Sequence, residues 1–459
     1  MIVFWSKPSL KPRWSVDWVA VDGLFGGMSH RFRLDDATDR AILIGPNGVG
    51  KTKLLTLVNA LLNLEVSTLL SEPYASIRIG FRNGDEVGCT RLETRKGLAI
   101  QLDLRHGSGS ISWIFSLETR NEFEANADLH RLLEPEDPLP FRPRRRGGSR
   151  QWAFGGQSYN IDQLISLSLS EDSLSDLSSM FGEEAREIKE YLGDYGSLMV
   201  KADRLASVTK AEHVERMFFE EEDRTEDDTI APYIRREFEL ARLEYLKVSQ
   251  ELDSSFPARL LQNSKGGGSR IFKTEEQLRT DYERLRKIFS ETTGTVRVDE
   301  LEMAPLPERP LETWEIKVLN LHANDGLEKI RALTDLSRRI KVFETLVNAK
   351  LVRSRIVVNP NGLFLKFNNG QIEVPQVSNL SSGERHQIQM AFSLVFKSKE
   401  KSIVLVDEPE LSLHVNWQNQ ILNEFEELRR LNRFQYIVAT HSPEIIGDAW
   451  AAVRPLTLN

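Results

Sequence analysis

The chain has 459 residues, 40% of them hydrophobic and 28% charged, which is typical of a globular protein with two to three domains. Its apolar runs are shorter than the roughly 18 residues that a membrane-spanning helix needs, and the N-terminus lacks the pattern of a signal peptide. One cysteine, Cys89, excludes an internal disulfide and a multi-cysteine zinc site. We therefore expect a cytoplasmic protein that does not contact a membrane.

The net charge is −8, from 60 basic and 68 acidic residues. A dedicated nucleic-acid binder usually has a basic excess, so the charge does not indicate DNA or RNA as the main ligand. The charge is unevenly spread, with an arginine cluster from Arg142 to Arg150 and an acidic run from Glu220 to Asp228. The cluster either binds nucleic acid or an acidic protein surface, or it is a solvated loop; the run is expected to be a linker.

The N-terminal part predicts a strand, a loop and a helix in succession. Residues 15–34 have β character and lead into the apolar strand from Ala41 to Ile44, after which a glycine-rich loop precedes a helix from Lys51 to Leu62. Short alternating strands follow from residue 75, and a hairpin turn at Asn83-Gly84 predicts an antiparallel sheet. Residues 120–160 are rich in Pro, Arg and Gly and predict a loop.

The middle of the chain, from residue 160 to 350, predicts mainly helices. The clearest are amphipathic segments from Tyr233 to Leu252 and from Glu275 to Phe289, which are shorter than long coiled-coil arms. Trp314 has an amphipathic context and is expected in the core. The β character returns from Arg355.

Eight residues between the first apolar strand and the following helix match the phosphate-loop pattern. They are Gly45, Pro46, Asn47, Gly48, Val49, Gly50, Lys51 and Thr52. The glycines let successive N–H groups surround phosphate oxygens, and the helix N-terminus adds its positive dipole end. We expect Lys51 to contact the β- and γ-phosphates and Thr52 to bind Mg²⁺. The alternative is a chance glycine-rich turn, which the correct flanking segments disfavour.

A second motif lies near the C-terminus, where an apolar run that begins at Ser402 ends in Asp407 and Glu408. A buried parallel strand presents such carboxylates at its C-terminal edge, where open α/β sheets bind ligands. Asp407 is predicted to hold Mg²⁺, and Glu408 is predicted to be the catalytic group that activates the attacking water. The alternative is an ordinary strand followed by an acidic turn.

A serine-rich turn precedes this strand and opens a helix; it contains Leu380, Ser381, Ser382, Gly383 and Glu384. At this point the chain resembles ABC-type ATPases, whose signature is a Leu-Ser-Gly-Gly-like turn at a helix start. The resemblance implies that Ser381, Ser382, Gly383 and Glu384 bind the ATP of a second protomer. Taken alone, the segment is an ordinary helix cap with a following glutamate.

Other segments fit the same family in the expected order. Glu410 to His414 resembles the dimer-contact loop, and a strand ending in His441 resembles the one that carries the family's catalytic switch histidine, which contacts the γ-phosphate. The segment from Ser197 to Leu205 resembles the strand-to-loop segment that ends at the family's glutamine. Asp203 stands in its place, either as a Mg²⁺ ligand or as a surface aspartate.

These motifs predict an α/β fold, namely an ABC-type P-loop ATPase head with a mixed sheet, an antiparallel β subdomain and a large helical insertion. The predicted divisions are a first lobe at 1–120, the insertion at 121–354 and a second lobe at 355–459. The resemblance implies ATP and Mg²⁺ as cofactors. It also implies a homodimer or higher homo-oligomer whose heads sandwich ATP.

The segment from Val377 to Ala449 is similar to the OLD-like class of ABC ATPases, many of which act in bacterial anti-phage systems. Only 18 residues follow His441, too few for the Toprim nuclease domain of that class, so we expect the effector in a separate chain. The arrangement resembles the ATPase subunit of the PARIS system, with the Septu ATPase as a competitor. Both imply a switch that senses a phage trigger protein and controls a Toprim or HNH nuclease or a toxin.

Two other functions stay open. RecF-, Rad50- and SMC-like ATPases of DNA repair and chromosome maintenance use the same head, although long antiparallel coiled coils, a zinc hook or a strongly basic face would be expected there. A scaffold that binds ATP without turnover is the third interpretation, and the presence of Glu408 argues against it.

Overall fold

The computed structural model describes residues 15–95, 97–133, 144–146, 149–154, 157–170, 179–193, 196–201, 230–265, 274–296, 303–367, 370, 372–373, 380–398, 402–411 and 415–457. These fall into two compact units, the first from Met1–Ala206 and Arg385–Asn459, the second from Ser207–Glu384. Among the described helices, none is both long and apolar enough to cross a membrane. The predicted divisions at residues 120 and 354 stay a prediction.

The strands, in chain order, are β1 (Val16–Leu24), β2 (Met28–Arg33), β3 (Arg40–Ile44), β4 (Ser76–Phe81), β5 (Glu86–Thr94), β6 (Gly97–His106), β7 (Gly109–Ser116), β8 (Arg144–Arg146), β9 (Ser149–Phe154), β10 (Gln157–Tyr159), β11 (Ser197–Val200), β12 (Ser354–Asn359), β13 (Gly362–Phe367), β14 (Ile372–Glu373), β15 (Ile403–Asp407), β16 (Gln435–Ala439) and β17 (Val453–Pro455).

The helices are α1 (Lys51–Leu62), α2 (Val66–Ser71), α3 (Leu117–Leu133), α4 (Ile161–Ser168), α5 (Gly182–Leu192), α6 (Ile230–Lys265), α7 (Glu275–Val296), α8 (Thr313–Asn348), α9 (Ser382–Phe392), α10 (Val415–Gln418), α11 (Ile421–Asn432) and α12 (Pro443–Ile446). A π-helical turn, Ser393–Lys397, continues α9. The fold is therefore mixed α/β with parallel and antiparallel sheets and many helices, as predicted.

A five-stranded parallel sheet forms the centre of the first unit, in the order β11-β15-β16-β3-β17. Every residue of β15 and β16 is buried, which explains why both strands read as continuous apolar runs rather than alternating ones. Because all five strands run the same way, their carboxyl ends lie at one edge. The edge strand β11 comes from the part of the chain that was predicted to be mainly helical.

A six-stranded antiparallel sheet, in the order β2-β1-β4-β5-β6-β7, belongs to the same unit. The predicted turn at Asn83-Gly84 joins β4 to β5, and Gly84 has the positive φ of 91° that favours glycine there. The side chain of Gln435 in β16 ties this sheet to the parallel one. It accepts from the N–H of Val16 at 2.7 Å and donates to the same residue's carbonyl at 2.9 Å.

Where the structure describes residues 120–160, the prediction of a loop was wrong. The segment contains most of α3 together with β8, β9 and β10. Phe123 and Ala127, one helical turn apart, are both fully buried, so the amphipathic spacing of α3 outweighs the loop-like composition. The prolines that produced the prediction lie between residues 135 and 143, beyond the end of that helix.

The second unit is built on α6 and α8, each of 36 residues, with α7 and the antiparallel sheet β12-β13-β14. Asp253 pairs with Lys329, and Arg259 pairs with Asp325, so the two long helices run antiparallel. Both α6 and α7 are longer than the segments predicted from the sequence. Trp314 is 61% exposed in the first turn of α8, which corrects its predicted place in the core.

Candidate functional site

Three loops of the first unit meet at the carboxyl edge of the parallel sheet. They follow β3, β16 and β15, which are neighbours: Leu43 pairs with Ala439, and Ala439 pairs with Asp407. The sheet therefore brings together the predicted phosphate loop, the segment at His441 and the pair Asp407 and Glu408.

The phosphate loop takes the form that its glycines allow. Gly48 and Gly50 have φ of 85° and 92°, in the region that other residues rarely adopt. A Cβ at Gly50 would lie 2.4 Å from Cδ2 of Leu24, whereas the space beside Gly48 is open. Gly50 caps α1 without a side-chain hydrogen bond to the helix N-terminus, which suits the binding of an anion there.

Lys51 lies in the middle of the site and is only 6% exposed. Its amino group donates to the carbonyl oxygens of Gly45 at 2.8 Å and Pro46 at 3.3 Å, and it lies 3.5 Å from Nδ1 of His441. The cation is thus held at the loop, where a phosphate group would compete with the two carbonyls for its protons.

Thr52 and Asp407 offer hard oxygen ligands side by side, because the Thr52 hydroxyl donates to Oδ2 of Asp407 at 2.8 Å. The described residues contain no group of three or more His, Cys, Asp and Glu side chains that could hold a metal. Mg²⁺ usually keeps several waters and needs one or two protein oxygens beside substrate phosphates, so this pair fits that ion.

Glu408 has a positive φ of 48°, which is strained for a residue with a side chain. Its N–H donates to the carbonyl of Ala439 at 2.8 Å, and its carboxylate is almost fully buried. The imidazole of His441 lies between this carboxylate, 3.5 Å from Nε2, and the amino group of Lys51. The Glu408 carboxylate, the His441 imidazole and the Lys51 amino group therefore lie close together. Such a set of groups can support general acid–base chemistry on a phosphate.

One residue of the site, His30, was missed in the sequence. A second, Glu410, was expected only as the start of the dimer-contact loop from Glu410 to His414, of which residues 412–414 lie outside the described residues. His30 in β2 is buried and its Nε2 lies 2.8 Å from the carbonyl oxygen of Val49, so this nitrogen carries the proton because a carbonyl only accepts. A histidine at an inward position of an alternating strand was the available signal. Glu410 accepts from the hydroxyl of Thr440 at 2.8 Å and from the N–H of His441 at 2.7 Å.

The serine-rich turn from Leu380 to Glu384 lies in the second unit. Ser381 and Glu384 form a reciprocal cap, in which the N–H and hydroxyl of Ser381 both donate to Oε2 of Glu384 at 2.8 Å. Ser382 and Gly383 lie in the first turn of α9. The binding of a second protomer's ATP by these four residues stays a prediction. Asp203 lies outside the described residues.

One protein-family model matches the chain. The model of the family described as "AAA domain, putative AbiEii toxin, Type IV TA system" matches residues 209–447, more than half of the chain. The match includes Asp407, Glu408 and His441 and begins after the phosphate loop. No curated protein matches the chain.

Solved structures of low similarity include the Smc head domain with an extended coiled coil bound to the C-terminal domain of ScpA from Pyrococcus furiosus (13% identity, TM-score 0.34, 95% of this chain and 92% of that one). An SmcHead bound to the C-winged helix domain of ScpA has 10% identity and a TM-score of 0.36, covering 97% and 94%. The SMC head domain from Thermotoga maritima has 9% identity and a TM-score of 0.31, covering 97% and 95%. Scores this low carry no argument. On the family match, the chain belongs to the AAA-domain family with the description "putative AbiEii toxin, Type IV TA system".

Proposed function

We propose that the chain is an ATPase that binds Mg²⁺-ATP at the phosphate loop and hydrolyses it. One observation carries the proposal: Lys51, Thr52, Asp407, Glu408 and His441 converge at the carboxyl edge of the parallel sheet. Phosphoryl transfer needs mainly positioning and electrostatic stabilisation, and these five residues supply a cation, hard oxygen ligands, a base and a hydrogen-bonding imidazole.

Each residue has its own role in the proposed reaction. The phosphate-loop N–H groups and Lys51 hold the β- and γ-phosphates, and Thr52 and Asp407 hold Mg²⁺, which neutralises phosphate charge when bound. Glu408 orients the attacking water and accepts its proton. His441 hydrogen-bonds the γ-phosphate. Because its Nε2 lies 3.5 Å from Oε1 of Glu408, it also holds the base at a fixed position relative to the phosphate.

We further propose that two copies close on two ATP molecules, with Ser381 and Gly383 of one copy contacting the γ-phosphate held by the other, and Ser382 and Glu384 completing the same turn. This step rests on the resemblance to ABC-type ATPases. ATP binds the closed state more tightly because its γ-phosphate contacts both copies, and hydrolysis removes that contact. The chain then works as a switch with two states.

The switch is proposed to control a separate effector, a Toprim or HNH nuclease or a toxin, in cytoplasmic defence against phage, with a phage protein as trigger. Support comes from the similarity to the OLD-like class and the PARIS and Septu ATPases. The family description, which names a putative AbiEii toxin and a type IV toxin–antitoxin system, also supports a link to such a system. Both supports are associations rather than chemistry.

A second candidate is an ATPase of RecF or SMC type in DNA repair or chromosome maintenance. The observation that favours it is the antiparallel pair α6 and α8, two helices of 36 residues that are each about 54 Å long. The acidic net charge of −8 disfavours it.

Two variants test the ATPase proposal. Lys51→Ala should abolish binding of a fluorescent ATP analogue, because the buried amino group then no longer meets the phosphates. Glu408→Gln should keep ATP binding, lose turnover and accumulate the closed dimer in size-exclusion chromatography with light scattering. Normal turnover in Glu408→Gln, or normal ATP binding in Lys51→Ala, would refute the assignment of these residues.

The partner is tested with tagged Glu408→Gln protein, purified from its native host and analysed by mass spectrometry. A nuclease or toxin-like protein in stoichiometric amount supports the defence proposal. Recombination proteins or DNA would favour the second candidate, and Lys51→Ala protein is the matched control for contacts that do not depend on ATP.

A further inference from the structure

The carboxylate of Glu410 joins two of the three loops that build the site. It lies two residues after Glu408, in the loop that follows β15. Its Oε1 accepts from the hydroxyl of Thr440 at 2.8 Å and from the backbone N–H of His441 at 2.7 Å, both in the loop that follows β16. The two donors are 30 and 31 residues away in the chain, so only the parallel sheet brings them to this acceptor.

These hydrogen bonds fix the backbone on both sides of the His441 side chain. The Thr440 hydroxyl that donates to Glu410 also accepts from the N–H of Ser442 at 3.0 Å. The Ser442 hydroxyl in turn donates to Oε1 of Gln418 at 2.7 Å. The network therefore fixes the backbone position from which the His441 side chain extends. The imidazole Nδ1 lies 3.5 Å from the amino group of Lys51, and its Nε2 lies 3.5 Å from Oε1 of Glu408.

The second carboxylate oxygen, Oε2, argues against a purely stabilising role for Glu410. Oε2 is buried and meets no hydrogen-bond donor among the residues that the structure describes. A buried carboxylate oxygen without a donor costs free energy, so a neutral acceptor would stabilise this turn better. The contribution of Glu410 is therefore the position of its acceptor oxygen relative to the site, which the amide oxygen of a glutamine can also occupy.

We propose that Glu410 is a positioning residue for His441, and this inference rests on the ATPase function proposed above. Glu410 acts through the backbone of residues 440–442 and does not touch ATP. The phosphates are bound by the loop before α1, to which the Glu410 carboxylate makes no hydrogen bond among the described residues, so its loss lowers the rate of hydrolysis and leaves ATP affinity unchanged.

The test compares Glu410→Ala with Glu410→Gln, whose side-chain oxygen still accepts both hydrogen bonds. Groups that orient a functional side chain are typically worth about 10- to 100-fold, so kcat should fall by that factor in Glu410→Ala. KM and the Kd for ATP should stay within about twofold of wild type, and Glu410→Gln should recover kcat to within about threefold. Glu427→Ala, an exposed glutamate on α11, is the matched control and should match wild type.

A second measurement needs no turnover. The chain has eight histidines, so selective ¹⁵N-histidine labelling gives eight backbone amide signals, and His441→Gln assigns one of them. That signal should shift in Glu410→Ala, return in Glu410→Gln and stay in place in Glu427→Ala. Thr440→Val, compared with Thr440→Ser, probes the same carboxylate from the other side and replaces Glu410→Ala should that variant fail to fold.

A kcat within twofold of wild type in Glu410→Ala, or an unchanged His441 amide signal, would overturn the positioning role. Equal losses in kcat and ATP affinity would also overturn it, because they indicate general damage to the site. Failure of the ATPase proposal looks different: wild type itself would then show no ATP turnover, or Lys51→Ala would still bind ATP, whatever the Glu410 variants do.

Discussion

The hydroxyl of Thr52 donates a 2.8 Å hydrogen bond to Oδ2 of Asp407, although 355 residues separate them in the chain. They meet because β3, which leads to Thr52, and β15, which ends at Asp407, flank the same strand β16. The two oxygens that we propose as Mg²⁺ ligands therefore lie side by side at the end of the phosphate loop.

Thr52→Ala should remove the Mg²⁺ dependence of ATP binding. Isothermal titration should give an ATP affinity that differs by about tenfold or more with and without Mg²⁺ in wild type, and by little in the variant. Thr52→Ser keeps the hydroxyl and is the control. A variant with an intact Mg²⁺ effect would show that another residue holds the ion.

His30 is expected to shape the phosphate loop through its 2.8 Å hydrogen bond to the carbonyl of Val49. His30→Ala leaves that carbonyl unsatisfied in a buried place, a loss of about 1–3 kcal/mol that should appear as roughly tenfold weaker ATP binding. His30→Gln, which can still donate, should recover part of it. His322→Ala alters an exposed histidine of α8 in the second unit and should bind ATP normally; equal affinities in the two alanine variants would contradict the role of His30.

Asp85 joins two hairpin turns to α5 in a buried cluster. Its carboxylate accepts from the Gly107 N–H at 3.0 Å, the His106 ring at 2.7 Å and the Tyr191 hydroxyl at 2.8 Å. Burial raises the pKa of this carboxyl, but the three hydrogen bonds outweigh it and hold the pKa below its ordinary 3.8.

The lowered pKa of Asp85 gives a stability that depends on pH with a definite sign. The charged form is favoured in the folded state, so the contribution is complete above about pH 3.8 and is lost as pH falls through the lower folded pKa. Asp85→Asn should cost about 1–3 kcal/mol in urea unfolding near pH 7. The difference from wild type should shrink in the acid range; a constant difference at all pH values would show that ionisation plays no part.

The helical unit offers a comparison between two ion pairs that link the same helices. Asp325 is 7% exposed and forms two hydrogen bonds of 2.6 and 2.8 Å with Arg259, whereas Asp253, the partner of Lys329, is 64% exposed. Arg259→Ala leaves a buried carboxylate uncompensated and should destabilise by about 2–4 kcal/mol. Lys329→Ala should cost less than about 1 kcal/mol. Similar unfolding free energies for the two variants would contradict this ranking.

Local patterns predicted the parts of the fold that local geometry governs. The glycines of the phosphate loop, the hairpin at Asn83-Gly84 and the apolar strands ending at Ala439 and Asp407 all occur where the sequence placed them. Each is a matter of backbone conformation or of strand burial within a few residues, so a short stretch of sequence contains the information.

The wrong predictions arose where the residue composition of a segment indicated one structure and tertiary packing produced another. The proline-rich composition between residues 120 and 160 hid α3, which forms because Phe123 and Ala127 face the core. Trp314 has a large apolar ring but lies in the first turn of α8, where its indole N–H donates to Glu312 at 2.7 Å and the ring stays exposed. The burial of a helix residue depends on which elements pack against the helix, and the spacing of its own apolar residues does not identify those elements.

The sequence by itself determined the chemistry that we propose for the site, because the types and order of Lys51, Thr52, Asp407, Glu408 and His441 follow from motifs that each span a few residues. Only the tertiary structure decided which distant groups support them. His30 lies against Val49, and Glu410 accepts from the N–H of His441, because strand order in two sheets brings them together. Contacts across hundreds of residues depend on topology, and a single sequence carries no periodic signal for them.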